Sequence, residues 1–235
     1  RGHQLRPLAA SFLALAGILL TLTIPLAFDG RWTSAAWALE GATMVWLGFR
    51  TERRLVRASG YLLQFLSGLA FASAMAHTTG NVPLLNSFYL GCLLISLSGL
   101  YSAFLLHRHT LKSQEWEQPF EYLLIAWGLC WWSGGALREL EQTLDKEFLH
   151  GAILVCAALS ALLIRLSARK LQWQNFSWTS LILVVLMPAA AVAWFPAHPL
   201  AHGGWFAWPV AFSASWWLLY SHDQVLPATF KPYPH

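Results

Sequence analysis

Glu40 is the residue whose type and position most clearly suggest chemistry. It lies in the middle of an apolar stretch, within Trp37-Ala38-Leu39-Glu40-Gly41. An ionised carboxylate at the centre of a bilayer is costly unless it is paired, protonated or hydrated, so such residues are candidates for substrate binding or proton coupling. The sequence therefore predicts a polar centre at Glu40.

Gln64 is the expected neighbour of Glu40 at the same depth. Glu40 lies ten residues before Arg50, and Gln64 lies seven residues after Arg57 on the next, antiparallel stretch. A Gln64 amide that donates to a protonated Glu40 satisfies both groups without any function. Two interpretations stay open: a structural pair, or a substrate-binding site formed by Trp37, Glu40 and Gln64.

A second polar set is expected at the outer rim of the membrane. Its candidate residues are His77, Arg138, Glu139 and His150. His77, Glu139 and His150 have the side chains that acid and base catalysis uses, but a solvated acidic loop is the simpler interpretation.

His198 and His202 have the HxxxH spacing that places two zinc ligands on one face of a helix. Pro196 and Pro199 predict a loop here instead, and the glutamate of the HExxH motif is missing. The sequence therefore predicts no metal site at this position.

Other familiar chemistry is absent from the sequence. There is no GxSxG elbow, no GxxxxGK[ST] phosphate loop and no GxGxxG run. The three cysteines lie in apolar runs without CxxC spacing, which indicates small buried thiols rather than disulfides or metal ligands. They are Cys92, Cys130 and Cys156. We predict no catalytic residue, no cofactor and no nucleic-acid partner.

The elements that must position these residues are membrane helices. Of 235 residues, 57% are hydrophobic and 11% are charged, whereas a soluble domain has roughly 25% charged residues. Each apolar stretch has about the length that a bilayer core requires. The sequence predicts an all-α, polytopic protein with about eight spans arranged as helical hairpins, at 8–28, 32–49, 57–76, 84–106, 120–137, 148–165, 177–195 and 204–221.

The distribution of Lys and Arg predicts the orientation. Twelve of these residues fall in the two ends and in alternate connections, and the other connections hold only three, Arg31, Arg138 and Lys146. Cytoplasmic loops carry the excess of positive charge, so both ends of the chain are expected in the cytoplasm. An odd number of crossings would mix the two groups.

One phrase of the sequence resembles a known family. It runs from Pro25-Leu26-Ala27-Phe28-Asp29-Gly30-Arg31-Trp32-Thr33 through Trp37-Ala38-Leu39-Glu40-Gly41 to Trp46-Leu47-Gly48-Phe49-Arg50. This phrase resembles a bacterial family of large multi-pass inner-membrane proteins that is filed as a domain of unknown function. The resemblance implies that residues 1–235 are one transmembrane segment of a longer protein. It implies no activity and lends no catalytic residue.

The sequence therefore favours a non-enzymatic protein of the bacterial inner membrane. The leading hypothesis is that it binds or transports an envelope lipid or another amphipathic solute, with Glu40 and Gln64 as the polar centre. The first alternative is a scaffold or assembly protein, and the second is a membrane-embedded transferase. The expected partners are membrane lipids, other helices of the same chain and partner subunits.

Overall fold

A computed structural model describes residues 30–73, 86–193 and 198–223, which form helices joined by short turns. The helices are α1 (Gly30–Arg50), α2 (Arg54–Ser73), α3 (Ser87–Arg108), α4 (Gln118–Thr143), α5 (Lys146–Leu171), α6 (Gln174–Thr179), α7 (Ile182–Ala193) and α8 (Gly204–Asp223). Two 3₁₀ turns, Thr110–Lys112 and Glu115–Glu117, join α3 to α4. The predicted all-α class is confirmed.

Four stretches of the described chain are long and apolar enough to cross a membrane. They are Arg54–Ser73, Ser87–Arg108, Lys146–Leu171 and the nearly continuous Gln174–Ala193. The predicted first span, 8–28, lies outside the described residues. Several membrane crossings are thus supported, while the total of eight stays a prediction.

The chain divides into two compact units, residues 1–135 and 136–235. In the first unit, α1 packs against α2 and α3. The α1–α2 contact is close because glycines meet there: a Cβ placed on Gly60 would lie 2.7 Å from the carbonyl oxygen of Gly41 and 2.9 Å from Val45 Cγ2. Small residues allow this backbone approach in membrane helices.

The apolar core of the first unit lies beside this contact. Its buried residues are Ala38, Phe71, Phe88, Cys92 and Ile95, and the rings of Trp127 and Trp131 pack against them. Buried Cys92 agrees with the prediction for the cysteines. Cys130, by contrast, is exposed and Cys156 is half-buried, which corrects that prediction. An apolar helix position in a membrane protein can face lipid as readily as the protein interior.

In the second unit, α5 packs against α6, α7 and α8. Small residues form part of the buried face of α8, since Ala207, Ala211 and Ser215 are all buried. On α5, by contrast, the small residues Ala152, Cys156 and Ser160 are only half-buried. The buried face of α5 consists of Gly151, Leu154, Ala158, Ala161, Arg165 and Ala168.

The predicted span 177–195 is interrupted near its start. Helix α6 ends at Thr179, and α7 begins at Ile182. Pro188 lies inside α7, so this proline is not the position of the break. The predicted loop around His198 and His202 is confirmed, because residues 198–203 form turns rather than a helix.

Candidate functional site

Polar residues follow one buried face of α2. Arg57, Tyr61, Gln64 and Ser67 are all buried and are spaced by three or four residues. Residues at this spacing lie on the same face of a helix. An otherwise apolar helix therefore carries a polar row from its first turns towards its middle, and we call these four residues the α2 polar row.

The first member of the row, Arg57, forms a closed ion pair with Glu117. The two side chains are 2% and 0% exposed. Arg57 Nε donates to Glu117 Oε1 at 2.7 Å, and its Nη2 donates to Oε2 at 2.9 Å. The backbone N–H of Gln114 also donates to Glu117 Oε2, at 2.8 Å. This two-pronged geometry is the strong form of an arginine–carboxylate pair, so both charges are satisfied.

A small polar pocket of about 220 Å³ adjoins this pair. It is lined by Phe49, Glu52, Arg54, Arg57 and Gln114. The Arg57 guanidinium also lies over the ring of Phe49, 4.8 Å from its centroid. The α2 polar row thus begins at a polar opening on the side of the protein that is predicted to face the cytoplasm.

Gln64 lies at the depth predicted for it but bonds to a different partner. A Cβ placed on Gly41 would lie 2.7 Å from Gln64 Cγ, so Gln64 packs against the residue that follows Glu40. Its Nε2, however, donates to Ser102 Oγ of α3 at 2.5 Å. The expected Gln64–Glu40 hydrogen bond is therefore wrong. The physical reason is that Ser102, on a third helix, offers a hydroxyl oxygen at the same level.

Several polar atoms of this region remain without a protein partner. Among the described residues, Trp37 Nε1, Glu40 Oε2, Tyr61 OH and Gln64 Oε1 are buried and make no hydrogen bond. Trp37 and Glu40 are three residues apart on α1 and therefore share a face. The three residues predicted as a substrate site thus each carry one unsatisfied polar atom. Buried polar groups without a partner are costly, so this region suits a polar ligand or water.

The outer-rim candidates occupy the two sides of the short connection between α4 and α5. Glu139 is buried and Arg138 half-buried near the end of α4, while His150 is exposed in the early turns of α5. His77 lies outside the described residues.

Among the residues that the structure describes, no group of three His, Cys, Asp or Glu side chains is placed to hold a metal ion.

The second unit contains a buried arginine with a different environment. Arg165 of α5 is 2% exposed. Its Nε donates to Ser221 Oγ at 2.9 Å, its Nη2 donates to the Ser221 carbonyl oxygen at 2.5 Å, and its Nη1 donates to Ser177 Oγ. Each of these acceptors is neutral.

His222 and Ser180 complete this group. Ser180 Oγ donates to the Ser177 carbonyl oxygen at 2.7 Å and lies 3.2 Å from His222 Nε2. Within the described chain His222 Nδ1 is buried and has no hydrogen-bond partner. The exposed ring of Trp178 stacks on the His222 ring at 5.0 Å. We call Arg165, Ser177, Ser180, Ser221 and His222 the Arg165 cluster.

Sequence reasoning missed both buried arginines. Arg57 and Arg165 were counted as loop charges in the orientation argument, because each lies at the edge of a predicted span. The spacing of Arg57, Tyr61 and Gln64 was a usable signal, since it places an arginine on the buried face of α2. Glu117 and Ser221 lie 60 and 56 residues from their arginines, and no local pattern connects residues so far apart.

The long apolar helices and their buried polar residues define the class of this molecule as a multi-pass helical membrane protein. The chain belongs to the family described as "Predicted membrane protein (DUF2339)", which it matches over residues 1–233. The resemblance carried by the Glu40 phrase is therefore confirmed. No curated protein and no solved structure matches the chain.

Proposed function

We propose that the protein crosses the bacterial inner membrane eight times, with both ends of the chain in the cytoplasm. The twelve-to-three distribution of Lys and Arg supports this orientation. Helices α1, α4 and α8 are 21, 26 and 20 residues long. About 20 residues are needed for one crossing, so these helices have the required length in addition to the four more apolar stretches.

Within this topology, we propose that the protein binds or transports an envelope lipid or another amphipathic solute. The observation that carries the proposal is the set of unsatisfied polar atoms on Trp37, Glu40 and Gln64 of the first unit, where Gln64 packs against the residue that follows Glu40. Transport proteins commonly place substrate groups near the bilayer midplane beside unpaired polar side chains.

The unsatisfied atoms indicate the chemistry of the ligand. Glu40 Oε2 and Gln64 Oε1 are acceptors when Glu40 is ionised, and Trp37 Nε1 is a donor. Two acceptors beside one donor suit a polar group rich in hydroxyl or amine hydrogens, such as a sugar, glycerol or amine head group. An anionic group is disfavoured here because it would face the Glu40 carboxylate.

Native mass spectrometry of the full-length protein, extracted in its own membrane lipids, tests this proposal. Glu40→Gln is the test variant, and Glu115→Gln is the matched control because Glu115 is exposed in the same unit. We expect a bound lipid or solute that is present in the wild type and in the control and is lost from Glu40→Gln. The same bound molecules in all three proteins would overturn it.

A scaffold function is the second candidate, and the Gln64–Ser102 bond favours it. This bond joins α2 to α3 while Gly41 and Gly60 hold α1 against α2, so the polar centre also ties three helices together. If the centre is purely structural, Glu40→Gln leaves both bound molecules and stability unchanged. Glu40→Leu should then cost little as well, because Gln64 Nε2 keeps Ser102 as its partner.

A further inference from the structure

The Arg165 cluster holds a buried positive charge that no described carboxylate neutralises. Three of the five N–H groups of a guanidinium donate to Ser177 and Ser221, and these acceptors carry no charge. The charged side chain that acts on Arg165 is Arg169, which has the same sign. A buried charge without a counter-ion is strongly unfavourable, so the cluster is electrostatically suited to an anion.

His222 supplies an independent sign of a missing partner. The Ser180 hydroxyl proton is directed to the Ser177 carbonyl oxygen, so His222 Nε2 acts as the donor towards Ser180 Oγ. The other ring nitrogen, Nδ1, is buried and makes no hydrogen bond within the described residues. In the neutral ring this nitrogen is an acceptor, so the group that it lacks is a donor such as a hydroxyl of a ligand head group.

The surroundings of the cluster add positive charge. Arg169 and Lys170 follow on the last turn of α5. The acidic residue nearest in sequence, Asp223, is exposed. The exposed Trp178 ring covers one face of His222, so rotation of one surface side chain would uncover the ring.

An apolar groove runs beside the cluster between the same two helices. It has a volume of about 580 Å³ and is lined by Leu162 and Leu166 of α5 and by residues from Phe206 to Trp217 of α8. This part of α8 is about 16 Å long, close to half of the roughly 30 Å hydrocarbon core. The groove is therefore about as long as an acyl chain within one leaflet, and it ends one turn before Ser221.

We propose that the second unit binds a phosphate-bearing lipid, with its phosphate at the Arg165 cluster and an acyl chain in the groove between α5 and α8. Guanidinium groups are favoured donors to phosphate oxygens. The apolar groove selects a lipid over a free phosphorylated solute. This site is separate from the Glu40 site, and neither proposal depends on the other.

The test uses the full-length protein, delipidated in detergent and examined by native mass spectrometry with three probes. The probes are 1-palmitoyl-2-oleoyl-phosphatidylglycerol, 1-palmitoyl-2-oleoyl-glycerol, which has the same chains without phosphate, and inorganic phosphate, which has no chains. We expect phosphatidylglycerol to bind at least tenfold more tightly than either other probe.

Two pairs of variants locate the binding. Arg165→Gln should weaken phosphatidylglycerol binding about tenfold or more, as expected for loss of charge-assisted hydrogen bonds, while Lys146→Gln, an exposed control at the other end of the same helix, retains it. Ser213→Trp places a bulky ring in the groove, and Leu219→Trp is its control on the exposed surface of α8. Ser213 is also exposed, so Ser213→Trp keeps the test decisive if Arg165→Gln does not fold.

The outcomes separate the sources of the ligand. Loss of phosphatidylglycerol in Arg165→Gln and Ser213→Trp, but not in their controls, supports the site. Equal binding of the diacylglycerol probe overturns the role of the phosphate. Tight binding of inorganic phosphate that Ser213→Trp leaves unchanged overturns the lipid assignment. Because Glu40→Gln leaves the Arg165 cluster intact, it should retain phosphatidylglycerol even if it loses its own ligand.

Discussion

Arg57 and Arg165 are equally buried, at 2% exposure, but their environments differ in charge. Arg57 donates two hydrogen bonds to a buried carboxylate, whereas Arg165 donates to serine hydroxyls and a backbone carbonyl. The first arginine is neutralised within the protein and holds the fold together. The second retains its charge, which is why we assign it to a ligand. Burial alone therefore does not distinguish a structural arginine from a binding arginine.

The largest expected effect comes from breaking the neutralised pair. Arg57→Gln should lower the free energy of unfolding by about 3–5 kcal/mol, because it leaves Glu117 buried without its counter-ion. Denaturant unfolding in detergent micelles measures this loss. The exposed Arg53→Gln is the control. A cost for Arg57→Gln no greater than that of the control would show that the ion pair is not structural.

The close packing of α1 against α2 gives the next largest effect on stability. Gly60→Ala should cost about 1–3 kcal/mol of unfolding free energy, since its Cβ would collide with Gly41 and Val45. Gly134→Ala is the matched control, because nothing lies within 4 Å of a Cβ at that position. The same unfolding assay applies, and equal costs for the two variants would contradict the α1–α2 contact.

Removal of the other arginine should have a smaller effect on stability. Arg165→Gln is expected to lower the unfolding free energy of the lipid-free protein by only about 1 kcal/mol. No charge is left unpaired, because the acceptors of Arg165 are neutral. Ser221 Oγ also donates to the Leu218 carbonyl oxygen and Ser180 Oγ to that of Ser177, so both hydroxyls keep a hydrogen bond. A loss of 3 kcal/mol or more, on the scale of a broken buried pair, would place Arg165 with Arg57 as a structural residue.

The smallest effect concerns the turns that follow α1 and α5. Glu52 and Gln172 have φ angles of 58° and 54°, a left-handed conformation in which glycine is favoured at helix C-termini. Glu52→Gly and Gln172→Gly should each raise the unfolding free energy by about 0.5–1 kcal/mol, because relief of the left-handed strain exceeds the entropy that glycine adds to the unfolded chain. The midpoint of detergent unfolding reports this gain, and a decrease would mean that contacts of these side chains outweigh the backbone strain.

The sequence was sufficient to predict helix positions, because the apolar length of a span is a local property. The predicted span 32–49 corresponds to Gly30–Arg50, and 84–106 corresponds to Ser87–Arg108. The predicted span 148–165 is too short, since α5 extends from Lys146 to Leu171. Its polar ends continue the helix beyond the apolar core, and hydropathy does not detect them.

The partners within the site could be predicted only in part. The depth of Gln64 beside Gly41 followed from counting along antiparallel helices, but its bond to Ser102 depends on how α3 is rotated against α2. Rotation is set by side-chain packing across helices, which one sequence does not encode locally. The same reason explains why Glu117 and Ser221 were not recognised as partners of buried arginines.

One measurement tests most directly the claim that the two units bind different molecules. Native mass spectrometry of the full-length protein in its own membrane lipids would compare the wild type, Glu40→Gln and Arg165→Gln. We predict two kinds of bound molecule in the wild type, with Glu40→Gln losing one and Arg165→Gln losing the phosphate-bearing lipid. If both variants retain every molecule that the wild type binds, the two polar centres are structural and the account is wrong.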